Sequence, residues 1–137
     1  MKTARDLMTT PAECLAPDET LVTAARMLSK YDVGSMPVVD GDTLVGVVTD
    51  RDIVINAVAK GLDPQETPVT QIATSNVVTV EASANATEVA ALMAEHQVRR
   101  LPVVDGGKVV GMVAQADVAR DLDEGTTGEV VEEISQS

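Results

Sequence analysis

The sequence predicts an α+β module made of two copies of a β-α-β-β-α unit, packed with pseudo-two-fold symmetry. Three observations carry this reading. The chain overlays itself at an offset of 65 residues without a gap, and ten of 21 positions are identical between residues 33–53 and 98–118. Apolar residues recur at the i, i+3, i+4, i+7 spacing of a helix face, first at Leu21, Ala24, Ala25 and Leu28 and again at Ala86, Val89, Ala90 and Met93. Each stripe is followed by two short runs rich in Val, Leu and Met, separated by a glycine-bearing turn.

Taken in order, each repeat opens on a short strand, at residues 13–16 and 77–80, and continues into a helix, at residues 20–31 and 85–96. Two strands follow, at 36–39 with 44–49 and at 101–104 with 108–114. The turns between them, Asp40-Gly41-Asp42 and Asp105-Gly106-Gly107, carry the residues that tight hairpins require. A second helix starts at Asp50 or at Gln115, and Gly61 is placed to stop the first of these. Two prolines, Pro64 and Pro68, mark the link between the halves, and residues 69–74 are predicted to make a short helix leading into the second repeat. Residues 1–68 are therefore assigned to the first repeat with its N-terminal segment and linker, 69–122 to the second, and 123–137 to an acidic tail. In that tail Val130, Val131 and Ile134 suit a short helix. A unit of this size buries too little surface to stand alone, so two are expected to share a core, with related clefts where the halves meet.

Composition limits what such a module can do. Apolar residues make up 45% of the chain, yet Tyr31 is the only aromatic, so aliphatic side chains must fill the core. The formal net charge is −12, and residues 121–137 hold six acids and no base. Such a chain is repelled by phosphate backbones and lacks aromatic platforms for bases, so no nucleic-acid partner is expected, and no duplex-DNA affinity at physiological salt. No apolar run approaches membrane-spanning length and the first residues are too polar for a signal peptide, so the expectation is a cytoplasmic protein with no membrane partner. The single cysteine, Cys14, excludes an intrachain disulfide and reads as a half-buried strand residue. With His96 distant in the chain as the single histidine, no zinc-ligand spacing exists.

The ordered motifs carry a resemblance. Asp6-Leu-Met-Thr9, Met36-Pro-Val-Val-Asp40 and Gly46-Val-Val-Thr-Asp-Arg-Asp-Ile53 together resemble a cystathionine-β-synthase-type (CBS) repeat. Val98-Arg-Arg-Leu-Pro-Val-Val104 with Gly111–Asp117 resembles a second, so the likeness covers residues 3–122. The resemblance implies a regulatory fold in which paired repeats bind adenine nucleotides in the clefts between them. It implies AMP, ADP or ATP as a regulatory ligand and no required cofactor. The family's Gly-x-x-(Thr/Ser)-x-x-Asp ligand motif falls on Gly46, Thr49 and Asp52 in the first repeat. Thr49 at a helix start suits phosphate, and Asp52 one turn on suits both ribose hydroxyls. The same Thr-x-x-Asp spacing is also a capping box that needs no ligand. In the second repeat the motif reads Gly111, Ala114, Asp117, so the hydroxyl is lost and phosphate binding there is in question. Arg100 matches the place from which a basic residue reaches phosphate in relatives. Its competing reading, shared with Arg99, is a surface ion pair. Arg51 is a further ligand candidate at the helix start. With so few aromatics, adenine would rest on aliphatic neighbours, for which Met36, Pro37, Leu101 and Pro102 are the candidates.

Catalysis is not expected: one histidine gives no metal pair, Cys14 and His96 lack a third orienting group, and no Walker-type loop is present. Two readings remain. One is a stand-alone nucleotide sensor acting in trans on a protein partner that the sequence does not name. The other is a ligand-free dimerisation or protein-interaction module. The helices carry more Ala, Val and Met than one sheet pair covers, and two-repeat relatives pair, so a homodimer with an isologous helical interface is expected.

Overall fold

The computed structural model describes residues 2–10, 12–75 and 77–124. The helix expected within residues 130–134 lies outside them. The elements in chain order are α1 (Ala4–Leu7), α2 (Leu21–Tyr31), β1 (Ser35–Asp40), β2 (Thr43–Thr49) and α3 (Asp50–Ile53), followed by one π-helical turn (Val54–Val58) and a 3₁₀ turn (Val69–Gln71). Then come β3 (Val80–Glu81), α4 (Ala86–His96), β4 (Arg100–Asp105), β5 (Lys108–Ala114) and α5 (Gln115–Glu124). The mixed α+β architecture is the one the sequence predicts. Among the described residues, no helix is long and apolar enough to cross a membrane.

Glu13–Val77 make up one compact unit; the described residues of Met1–Ala12 and Val78–Ser137 make up the other. Each is organised the same way. In the first unit, Leu21, Ala24 and Leu28 of α2 are buried against Met36, Val38 and Val48 of the β1–β2 hairpin, with Leu15, Ala57, Val69 and Ile72 closing the core. In the second, Ala86, Val89, Ala90 and Met93 of α4 meet Leu101, Val103 and Val113, with Ala4, Val80, Val118 and Leu122. The helices begin where the sequence supplies caps: Thr20 Oγ1 accepts from Thr23 N–H at 3.3 Å and Asn85 Oδ1 from Glu88 N–H at 2.9 Å. They end at Asp32 and Gln97, which hold left-handed φ values of 52° and 55°.

The hairpins pair antiparallel, Met36 opposite Val48 and Leu101 opposite Val113, each with a register shift at the same repeat position, Val38/Val39 and Val103/Val104. The opening strands are shorter than predicted. Residues 13–16 supply a single parallel bridge, Leu15 to Val38, and the second copy is only β3, with Val80 opposite Val103. The reason is local. Leu15 N–H donates to Pro37 C=O and Val39 N–H to Leu15 C=O. The next rung toward residue 13 would need an N–H from residue 37, which proline lacks. Pro102 limits β3 in the same way.

The segments that precede the two repeats pack away from the repeats they lead into. The segment before the first repeat packs in the second unit: Ala4 N–H donates to Ala84 C=O at 2.7 Å, and Thr9 pairs with Met112. The segment before the second repeat packs in the first unit, where Val69 N–H donates to Glu19 C=O at 2.8 Å and Thr74 pairs with Val47. Every one of these partners is related to its counterpart by the 65-residue offset. Each described lead segment therefore packs in the other repeat's compact unit: that of residues 1–12 in the second unit, that of residues 69–77 in the first. The helix expected over 50–60 is also modified. It runs as α3 and then as a π turn, with Ala59 N–H donating to Val54 C=O, where three consecutive β-branched residues, Ile53–Ile55, weaken α-helical propensity.

Candidate functional site

The predicted motif of the first unit lies at the end of β2 and the start of α3. Thr49 closes the strand with extended backbone (φ −115°, ψ 159°), which turns the chain into the helix. Its hydroxyl accepts from Asp52 N–H at 2.9 Å, while Thr49 N–H donates to Asp52 Oδ2 at 3.1 Å. The capping box is thus fully formed. It uses one carboxylate oxygen of Asp52. The other, Oδ1, meets only the Asn56 amide, at 3.5 Å, the outer limit of a hydrogen bond. Asp50 caps its own turn by accepting from Arg51 N–H, and Arg51 is exposed.

The second motif keeps the geometry with one partner exchanged. Ala114 cannot accept from the helix, but Ala114 N–H still donates to Asp117 Oδ2, at 3.4 Å. Asp117 Oδ1 accepts from Arg120 Nη2 at 2.6 Å, an ion pair across one helical turn. Arg120 and Asp117 line a polar cleft of about 310 Å³ together with Lys2, Asp6, Leu7 and Asp121, all within the second unit. Arg120 and Asn56 were not singled out by the sequence reading. The i, i+3 and i, i+4 spacings from Asp117 and Asp52 were the signals that could have found them.

The motif glycines have a structural task. A Cβ on Gly46 would stand 2.8 Å from Thr74 carbonyl oxygen, and one on Gly111 would stand 2.6 Å from Met8 Sδ and 2.9 Å from Thr9 carbonyl oxygen. Both positions are glycine because the exchanged lead segment lies against the strand there.

Arg100 opens β4 directly opposite Ala114, so the structure brings it to the second motif's end of the hairpin; the equivalent of Arg100 beside Thr49 is Ser35. Arg99 and Arg100 are exposed and form no ion pair among the described residues, so the expected surface pairing with carboxylates is absent there. The proposed adenine contacts fare differently. Met36 is 2% exposed and Leu101 1%, each within its own unit's core, and Pro37 and Pro102 are buried beside them. Within their own units these four are buried in the hairpins.

Cys14 is partly buried, as expected, and desolvation followed by the nearby Glu13 charge raises its thiol above its ordinary value. Among the described residues, no three His, Cys, Asp or Glu side chains converge to hold a metal ion.

The arrangement matches known proteins closely. The family model described as CBS domain matches twice, at residues 4–58 and 69–124. Hypoxic response protein 1 of Mycobacterium tuberculosis is 43% identical over 125 residues, 90% of this chain and 87% of that protein. A solved structure of hypoxic response protein I with two coordinated zinc ions has a TM-score of 0.79 at 42% identity, covering 88% of this chain and 99% of its own. That of CBSX2 in complex with AMP has a TM-score of 0.78 at 30% identity, covering 90% and 98%. Two matched repeats over most of the chain, and relatives this similar, establish that it belongs to the CBS domain family.

Proposed function

We propose that this chain is a regulatory module that binds an adenine nucleotide, AMP, ADP or ATP, at the Thr49–Asp52 helix start and passes its ligand state to a partner protein in trans. The observation that carries the reading is the division of labour at Asp52. One oxygen completes the cap, and the other has no strong partner, which leaves a charged acceptor for a ribose diol. Arg51, exposed at this helix start and without an ion pair among the described residues, is the candidate phosphate contact there; Arg99 and Arg100 stand at the second motif, where Arg100 lies opposite Ala114. The AMP complex of the similar CBSX2 structure supports the ligand class. No arrangement of side chains suited to acid–base or nucleophilic chemistry is needed for this role.

Calorimetric titration with AMP, ADP, ATP and S-adenosylmethionine tests the reading. Saturable binding in the micromolar to millimolar range is expected for at least one adenosine phosphate. No heat of binding and no shift in melting temperature at millimolar ligand would overturn it.

A second reading has its own observation. Val54, Ile55 and Val58, on the π-helical turn, are 55%, 47% and 60% exposed. Apolar side chains grouped on one helical turn favour coverage by another helix. We read this face as part of an isologous homodimer interface. Light scattering at micromolar protein is expected to give twice the chain mass; a monomer would refute the pairing.

A further inference from the structure

We propose that Arg120 is a specificity-determining residue that sets the two motifs apart, by occupying the carboxylate oxygen that the second motif would offer to a ribose. The inference deepens the nucleotide reading above and rests on it. The two motif aspartates are set up alike. Asp52 and Asp117 each give one oxygen to the backbone N–H three residues earlier, that of Thr49 or Ala114. They differ in the second oxygen. Asp117 Oδ1 is held by the Arg120 guanidinium at 2.6 Å, and Asp52 Oδ1 has only the long Asn56 contact.

The repeat offset shows why. The position equivalent to Arg120 in the first repeat is Ile55, an apolar side chain that cannot bind a carboxylate. A ligand diol approaching Asp52 therefore replaces water. One approaching Asp117 must first displace a charged partner. The Asp117 side chain is 24% exposed and that of Arg120 is 76% exposed, so the pair is partly screened and the handicap is graded. An exposed pair of this kind corresponds to about a two- to fivefold change in affinity.

Loss of the Thr49 hydroxyl at Ala114 and occupation of Asp117 act in the same direction. Only the second can be relieved by changing a residue outside the motif. The exchange is also reciprocal. Arg120→Ile should free Asp117, and Ile55→Arg should place a guanidinium three residues from Asp52 and hold it in the same way. Both positions are exposed on their helices, so neither substitution enters a core; Ile55 also lies on the face assigned above to the homodimer, so light scattering accompanies Ile55→Arg, and Arg120→Ile, outside that face, carries the test if the pairing changes.

Adenosine is the probe, because it carries the ribose diol without phosphate and so does not respond to a simple change in positive charge. Amide NMR of the full chain reads each motif separately, through the signals of Asp52 and Asp117. In the wild type, adenosine should perturb Asp52 at lower concentration than Asp117. Arg120→Ile should tighten binding at Asp117 about two- to fivefold and leave Asp52 unchanged, and Ile55→Arg should weaken binding at Asp52 by a similar factor. Rising salt should tighten adenosine at Asp117 in the wild type and not in Arg120→Ile, a response that a purely structural role for Arg120 would not give. If adenosine binds the wild type but neither substitution moves either titration, the role of Arg120 is refuted while the nucleotide reading stands. If neither adenosine nor AMP perturbs Asp52 in any variant, the nucleotide reading fails, and the role of Arg120 fails with it.

Discussion

Removing the Asp52 carboxylate separates its two duties. In Asp52→Ala the cap loses the bond from Thr49 N–H, but the bond from the backbone N–H of residue 52 to Thr49 Oγ1 remains. Losing one of two part-buried capping bonds costs about 0.5–1.5 kcal/mol and lowers the melting temperature by a few degrees. If Asp52 Oδ1 also accepts from a ribose, the same change removes a charged hydrogen bond of about 1.5–3 kcal/mol and weakens binding about 10–100-fold. These effects have different signatures in a thermal melt. With AMP at about 100 times the wild-type Kd, binding adds about 2.7 kcal/mol to stability; a 10–100-fold loss of affinity leaves about 1.4–0.4 kcal/mol. Asp52→Asn is the control. Its amide oxygen can restore the cap, so its ligand-free stability should return toward wild type, while the loss of charge keeps the AMP response reduced. The reasoning is refuted if Asp52→Ala lowers stability by the same amount with and without AMP, which would make Asp52 a cap and nothing more.

Other outcomes follow from the packing. Gly46→Ala drives a methyl group to within 2.8 Å of Thr74 carbonyl oxygen, and this overpacking should cost about 1–3 kcal/mol in urea denaturation; wild-type stability would show that the lead segment yields freely. Gln97 ends α4 at a φ of 55°, where a Cβ is unfavourable, so Gln97→Gly should stabilise the chain by up to about 1 kcal/mol, and a destabilised variant would contradict the strain. The Asp6 carboxyl is held below its ordinary value of 3.8, first by the Thr3 backbone N–H and then by the Thr3 hydroxyl. Its folded value is the depressed one, so its contribution is present above that ordinary value and is lost as pH falls through the lower folded value. Amide protection of residues 3–8, measured relative to intrinsic exchange at each pH, should fall in that acid range, and Asp6→Asn should reduce the acid dependence; an identical acid profile in the variant would exclude Asp6 as its source.

The sequence by itself determined everything that local periodicity and turn chemistry encode. The i, i+3, i+4, i+7 stripes placed α2 and α4 and named their buried faces. Glycines 41, 61 and 106 marked positions where the chain takes positive φ. Thr49 and Asp52, three residues apart at a strand-to-helix junction, announced a capping box that the structure forms bond for bond. The 65-residue offset and the ordered motifs gave the fold and the family. What only the tertiary structure decided involves residues far apart in the chain. Where the lead segments pack could not be read from sequence, because Thr9 and Thr74 each pair with a strand that a hairpin or periodicity argument does not reach. Met36 and Leu101 read as ligand neighbours from motif position, yet each side chain completes a core whose other walls lie on separate elements. Gly46 was legible as a motif position, but that Thr74 carbonyl oxygen lies against it was not. The Arg120 contact with Asp117, one helical turn away, is by contrast local and was within reach of i, i+3 spacing. Periodicity fixes which face of an element is buried; which distant backbone it meets depends on chain packing, because those partners share no local spacing with it.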